Sequence, residues 1–301
     1  MNWWKELRGN VRLKEPLKRH TTFKIGGPAR IFIEPQDSDD LKLLLILLKK
    51  HKIPSFLIGA GSNLLISDAG LDAAVFRLSA PYFQTVTFDG EFIDAGAGAS
   101  LARVIRACAK QSLAGAEFLT GIPGTVGGAL AMNAGQAGYG KSIADLVESV
   151  TVIDRNGKIK RLEKNRIKFG YRASSLSKYI IINARLKLTS GRPVEIASRI
   201  NKYIALRRST QDYSGPSCGC IFKNPAGRPA GKLIDLCGLK GKSVGDAAVS
   251  FRHANFIINK GKAKAQDVLR LMDIINREVK KKFNINLKPE VIIWKRKSSA
   301  G

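Results

Sequence analysis

"GIPGTVGGALAMNAG", Gly121 to Gly135, is dense in glycine and carries a single threonine, Thr125. Glycine lets backbone N–H groups come close to a ligand, and consecutive N–H groups form a concave anion nest. A second stretch of the same character, "GAGSNLL", Gly59 to Leu65, directly follows a short apolar strand and adds Ser62 and Asn63 as small donors. Gly59-Ala60-Gly61 does not continue into G-x-G-x-x-G and runs into no Gly-Lys-Ser/Thr, so neither a Rossmann nor a Walker reading is carried there. Each stretch by itself reads as tight turns or as a cofactor cradle. Two of them in one basic chain favour the cradle.

The flanking sequence predicts mixed helix and strand. "ARIFIEP", Ala29–Pro35, and "PSFLIG", Pro54–Gly59, are expected as strands. Between them, Ser38–Lys52 is expected as a helix with an acidic first turn and a basic last turn, giving one parallel crossover unit. "TVTFDGEFIDAG", Thr85–Gly96, alternates about Asp89-Gly90 and predicts a hairpin; Glu148–Glu163 predicts another at Asn156-Gly157. Ser100–Leu113 is expected as a helix capped by Ser100, with Cys108 inside it as packing. Tyr179–Leu188 reads as a strand, Arg192–Ser209 as a helix from Pro193, and Ala254–Gly261 as a strand. Lys264–Phe283 reads as a helix with Val268, Leu271, Met272, Ile275, Val279 and Phe283 on one stripe. Pro289–Trp294 is a final strand, and Lys295–Gly301 is expected to fray.

The chain has 301 residues, enough for two or three domains. Its longest apolar run, Leu43–Leu48, is far too short to span a bilayer, and the first residues lack the apolar centre of a signal peptide. The expectation is therefore a cytoplasmic protein without membrane insertion. The net charge of +27 attracts anions in general. Basic residues are spread along the chain without interleaved aromatics, which argues for a solvated surface rather than a specific nucleic-acid face.

"PSCGCIFKNP", Pro216–Pro225, sets Cys218 and Cys220 one residue apart in a turn. The pair could be a metal clip, a redox pair, packing or a positioned acid. The spacing suits neither zinc nor C-x-x-C redox chemistry, and none of His20, His51 and His253 lies near in sequence, so no metal is expected. Cys237, in an apolar context, reads as core.

Taken together, "TTFKIGGPA" (Thr21–Ala29), "IGAGSNLLISD" (Ile58–Asp68) and "EFLTGIPGTVGGALAMNAG" (Glu117–Gly135) resemble the UDP-N-acetylenolpyruvoylglucosamine reductase family. "YRASSL" (Tyr171–Leu176), "GCIFKNP" (Gly219–Pro225), "AGKLIDLCGLKG" (Ala230–Gly241), "HANFIIN" (His253–Asn259) and "PEV" (Pro289–Val291) extend the likeness, in the family's order, over nearly the whole chain. The resemblance implies an α+β protein: a two-subdomain FAD-binding region of PCMH type plus a C-terminal α+β substrate-binding domain. The boundaries expected from it are residues 1–78 and 79–190 for the two subdomains and 191–286 for the substrate domain, with the strand in 287–297 returning to the first. It implies an enzyme that uses NADPH and FAD to reduce the enolpyruvyl ether of UDP-N-acetylglucosamine to UDP-N-acetylmuramate, in peptidoglycan synthesis. With no His in Gly61-Ser62-Asn63, FAD is expected to be noncovalent. The short interval after Tyr171-Arg172 is similar to the family's shorter subgroup.

By motif position, the resemblance implies Cys220 as proton donor where the family usually has serine, with Arg172 and Glu290 acting on the enolpyruvyl group. A free thiol, with pKa about 8.5, is the better acid of the two. FAD is expected at Gly59, Ala60, Gly61, Ser62, Asn63, Leu64, Gly121, Ile122, Pro123, Gly124, Thr125, Gly127, Gly128 and Asn133. Tyr171, Lys223 and Asn224 are expected to contact substrate, Cys218 to pack, and Asn255 to brace a turn. Two other readings compete: a different FAD oxidase or dehydrogenase on the same scaffold, against which "GCIFKNP" and "PEV" argue, and a basic nucleic-acid or membrane binder.

Overall fold

The computed structural model describes residues 2–136 and 140–296, so most of the tail expected to fray lies outside the described residues. The chain forms two compact units. The first holds the residues through Arg12, Ile31–Ala60 and Ala73–Arg207; the second holds Leu13–Arg30, Gly61–Asp72 and the chain from Arg208 onward.

In the first unit the helix Ser38–Lys50 starts where Asp37 accepts the amides of Asp39 and Asp40. It buries Leu41, Leu44, Leu45, Leu47 and Leu48, an apolar stripe at helical spacing. The crossover reading needs one correction. Ser55–Leu57 pairs in parallel with Leu71–Phe76, and the sheet order places Leu71–Phe76 between Pro28–Glu34 and Ser55–Leu57. The crossover therefore skips one strand, which arrives later in the chain.

A five-stranded antiparallel sheet follows, in the order Ile159–Glu163, Val147–Ile153, Ile180–Lys187, Phe92–Gly96, Val86–Asp89. The first hairpin turns at Gly90-Glu91 rather than Asp89-Gly90, since Asp89 is paired with Phe92. Gly90 has φ +57°, which suits a glycine-first hairpin turn. The second hairpin needs five residues, because Ile153 pairs with Ile159. The helix Leu101–Lys110, capped as expected by Ser100, buries Cys108 in this unit's core. Burial pushes that thiol up to about 12, so it stays protonated and inert.

The core of the second unit is built on the helix Ala265–Phe283, whose Val268, Leu271, Met272, Ile275 and Val279 are buried. The last strand, Ile292–Trp294, pairs in parallel with Leu64–Ile66. Asp68 accepts the amides of Ala265 at 2.8 Å and Gln266 at 3.2 Å, satisfying two donors that a helix start leaves open. Asp68→Ala is expected to cost about 1 kcal/mol in a denaturant titration, as for the loss of a helix cap. No change in the unfolding midpoint would show that the helix start does not depend on it. Cys237 is only half-buried at the end of the helix Ala230–Leu236, so it lies at the edge of this core rather than inside it.

Candidate active site

In the first unit the two glycine stretches meet. A Cβ on Gly59 would lie 2.9 Å from Thr125 Oγ1, so only glycine lets the loops close on one another. Thr125 caps the helix Val126–Ala131, accepting from Gly128 N–H at 3.2 Å. Gly127 N–H donates to Ala97 C=O at 2.9 Å. The amides of Gly127 and Gly128 are thus engaged within the protein, and Gly127 also packs closely, since a Cβ there would lie 3.1 Å from Ala97 Cβ. Beside Gly121, the buried Thr120 Oγ1 has no hydrogen-bond partner among the described residues. An orphaned hydroxyl next to an exposed glycine loop fits a wall that a polar cofactor completes.

The end of this loop holds the turn that carries Arg172. Phe169–Gly170 pairs with Ala173–Ser174, leaving Tyr171 and Arg172 at the tip. Asn133 Nδ2 donates to Gly170 C=O at 3.0 Å, Ser174 Oγ donates to Ala131 C=O at 3.1 Å, and Arg172 Nη1 donates to Gly135 C=O at 3.3 Å. Arg172 has φ +52°, a left-handed conformation that a side chain adopts only where its surroundings over-determine it. Its guanidinium lies 5.4 Å from the centre of the exposed Tyr171 ring. The loop and the arginine are therefore one hydrogen-bonded assembly.

Gly135–Ser142 also spells G-x-x-x-x-G-K-S. A phosphate-binding loop of that spelling joins a strand to a helix. Among the described residues of this stretch, Gly135–Gln136 pairs with Lys141–Ser142, and a short 3-10 turn, Ile143–Asp145, follows where that motif needs a helix.

In the second unit, Gly61 (φ +65°) packs so closely that a Cβ would lie 2.0 Å from His20 C=O. Gly61 C=O accepts from Thr22 N–H at 3.2 Å. Asn63 then clasps the last segment: its Nδ2 donates to Glu290 C=O at 3.2 Å, and its C=O accepts from Ile292 N–H at 3.0 Å. Glu290 N–H donates to Ile221 C=O at 2.8 Å, which sets the half-buried glutamate beside the residue that follows Cys220. Lys223 N–H donates to Lys288 C=O at 2.8 Å, and Asn224 Oδ1 accepts from Ala230 N–H at 2.9 Å. The second unit thus brings together Asn63, Cys220, Lys223 and Glu290 along neighbouring backbone segments.

The two cysteines separate by environment. Cys218 is 2% exposed and belongs to the core, while Cys220 is half-buried. Burial, reinforced by the neighbouring Cys220, pushes the Cys218 thiol up and keeps it neutral. Gly219, between them, has φ +76°, a left-handed backbone that glycine adopts at no steric cost, with open space where a Cβ would go. Among the described residues, no group of three His, Cys, Asp or Glu side chains is placed to hold a metal, and no helix is long and apolar enough to cross a membrane.

Similarity to known proteins puts the chain in the class of FAD-binding oxidoreductases. An FAD-binding domain model matches residues 29–163. The model of the UDP-N-acetylenolpyruvoylglucosamine reductase C-terminal domain matches residues 210–294. The reductase of Caldanaerobacter subterraneus subsp. tengcongensis is 44% identical over 95% of this chain and 94% of its own length. Reductase 2 of Symbiobacterium thermophilum is 41% identical over 95% and 92%. The crystal structure of the Thermus caldophilus reductase superposes with a TM-score of 0.81 at 36% identity, covering 96% of this chain and all of that one. The chain belongs to the UDP-N-acetylenolpyruvoylglucosamine reductase family, with an FAD-binding region followed by the family's C-terminal domain.

Proposed function

We propose that the chain uses NADPH and noncovalent FAD to reduce UDP-N-acetylglucosamine enolpyruvate to UDP-N-acetylmuramate in the cytoplasm. The observation that carries this reading is the backbone junction at Ile221: the candidate acid Cys220 precedes it, Glu290 donates its amide to it, and the cofactor-loop residue Asn63 holds the same Glu290. We assign FAD to residues 1–190, chiefly through the loops at Gly59–Leu64 and Gly121–Asn133, and substrate to residues 191–286. When bound, FAD supplies a two-electron carrier between NADPH and the substrate double bond.

The chain's own residues handle charge and the proton. Overall, C3 of the enolpyruvyl group gains a hydride, C2 gains a proton, and NADPH leaves as NADP⁺. Negative charge moves onto the carboxylate oxygens as C3 is attacked. The Arg172 guanidinium presents a planar pair of donors suited to those oxygens, with Glu290 as carboxyl partner at the same group. The Cys220 S–H bond breaks as C2 takes the proton, and the thiolate recovers a proton from solvent. Tyr171, Lys223 and Asn224 contact the substrate.

NADPH should be consumed only when the enolpyruvyl nucleotide is added; consumption at the same rate with oxygen alone would favour an oxidase. Because Gly61-Ser62-Asn63 offers no histidine, acid precipitation should release all the flavin into the supernatant. Flavin remaining in the pellet would contradict noncovalent attachment.

A further inference from the structure

Asn255 is 2% exposed, and both ends of its side-chain amide are used. Its Oδ1 accepts from Phe222 N–H at 2.9 Å, and its Nδ2 donates to Phe222 C=O at 2.8 Å. A carboxamide that pairs both backbone groups of one residue does what a neighbouring strand would do. It does so where the backbone partner ends. Ile221 N–H still donates to Asn255 C=O at 2.9 Å, and Cys220 bridges Phe256. Before Asn255 the chain turns away at His253, whose Nδ1 accepts Asn255 N–H at 3.2 Å. On the opposite edge of the Cys220–Lys223 segment, Ile221 C=O takes Glu290 N–H and Lys223 N–H reaches Lys288 C=O, both at 2.8 Å. The segment is held between two edges, and on one of them the last rung is a side chain.

We infer that Asn255 is a positioning residue for proton delivery: by clamping Phe222 it orients the backbone that carries Cys220 and, through Ile221, Glu290. The inference rests on the roles proposed above for those two residues. Proton transfer demands a donor within hydrogen-bond reach, and a displacement near 1 Å costs about 10²-fold. A residue that only braced a buried turn would lower stability without a specific effect on the thiol.

The test uses the holoenzyme with Asn255→Ala and Asn255→Asp. A neutral carboxylic acid offers one donor and one acceptor, as the carboxamide does across Phe222, whereas a carboxylate only accepts. Burial raises the acid's pKa, so both forms are reached near neutrality. Asn255→Ala is expected to slow reduction of the enolpyruvyl group about 10²-fold, with flavin reduction by NADPH unchanged. Asn255→Asp should match it at alkaline pH and recover towards the parent as pH falls, with a loss additional to the parent's own alkaline loss of the Cys220 proton. A readout independent of turnover is alkylation by iodoacetamide, followed by peptide mass. In Asn255→Ala the labelling rate of Cys220 should change while Cys218 stays unlabelled. Labelling of Cys218 as well would mean that the turn had come apart, and would overturn the inference in favour of a bracing role.

In a Cys220→Ala background, Asn255→Ala should slow the reaction no further, since residues acting through one group are not additive. A full additional slowing there would overturn the inference while leaving the role of Cys220 intact. If Cys220→Ala alone turned over like the parent, the thiol's role would fall and the inference with it, and that failure is seen without touching Asn255. Should Asn255→Ala not fold, the pH profile of Asn255→Asp decides, and a profile with the same pH dependence as the parent's would overturn the inference.

Discussion

Cys220→Ala is expected to slow reduction of the enolpyruvyl ether by about 10²–10⁴-fold, on the order of 3–5 kcal/mol of barrier, the usual worth of a general acid. Cys220→Ser should retain much of the activity, because a hydroxyl still delivers a proton. Cys218→Ala should change turnover little, since that thiol is buried in the core and held neutral. Running each variant in D₂O separates the two bond-forming events. In Cys220→Ala, hydride arrival at C3 should outlast stereocontrolled deuteration at C2. If Cys220→Ala equals the parent and Cys218→Ala is inactive, the wrong cysteine has been chosen. If both variants are active, the turn serves only to shape the backbone.

The second large effect belongs to the charged pair. Arg172→Ala and Glu290→Gln should each slow the enolpyruvyl step by about 10²–10³-fold, as when one donor to a developing oxyanion is removed. Reduction of bound flavin by NADPH should continue in both. The left-handed backbone at Arg172 and its bond to Gly135 C=O keep the guanidinium against the end of the Gly121–Gly135 loop. Arg172→Lys is therefore a demanding control: it retains the charge but loses the planar fork, and should recover little. Stopped-flow measurement of the two half-reactions checks all three variants. An equal loss in flavin reduction by NADPH would assign these residues to the cofactor and not to the substrate.

How far these roles could be read from sequence depended on how local their causes are. The helices Ser38–Lys50, Leu101–Lys110 and Ala265–Phe283 announce themselves through apolar stripes and end charges that act over a few residues. The helix Val126–Ala131 does not, because glycines fill its first turn and mask helical propensity; its cap, Thr125, is the one local clue. Pairings between distant segments leave no local trace. Leu71–Phe76 inserts beside Ser55–Leu57, and Ile292–Trp294 joins Leu64–Ile66, only once the chain has returned.

Site residues divide in the same way. Cys220, Arg172 and Glu290 were legible only through a family likeness, because a lone arginine or a strand-end glutamate looks like surface. Asn255 reads from sequence as a turn brace, and that the backbone it braces is Phe222, 33 residues away, leaves no local trace. Thr120 carried no signal at all, since an unpartnered buried hydroxyl is a property of the fold.

The measurement that bears most directly on the central claim is anaerobic. The protein is isolated with its flavin, reduced with NADPH, freed of nucleotide, and mixed with UDP-N-acetylglucosamine enolpyruvate. The account predicts that the flavin absorbance returns in full as one equivalent of nucleotide product, heavier by two hydrogens, is formed. In Cys220→Ala formation of that product should be slow. A reduced flavin that persists with the enolpyruvyl nucleotide but reoxidises on admitting oxygen would contradict the account and make the chain an oxidase on a shared scaffold.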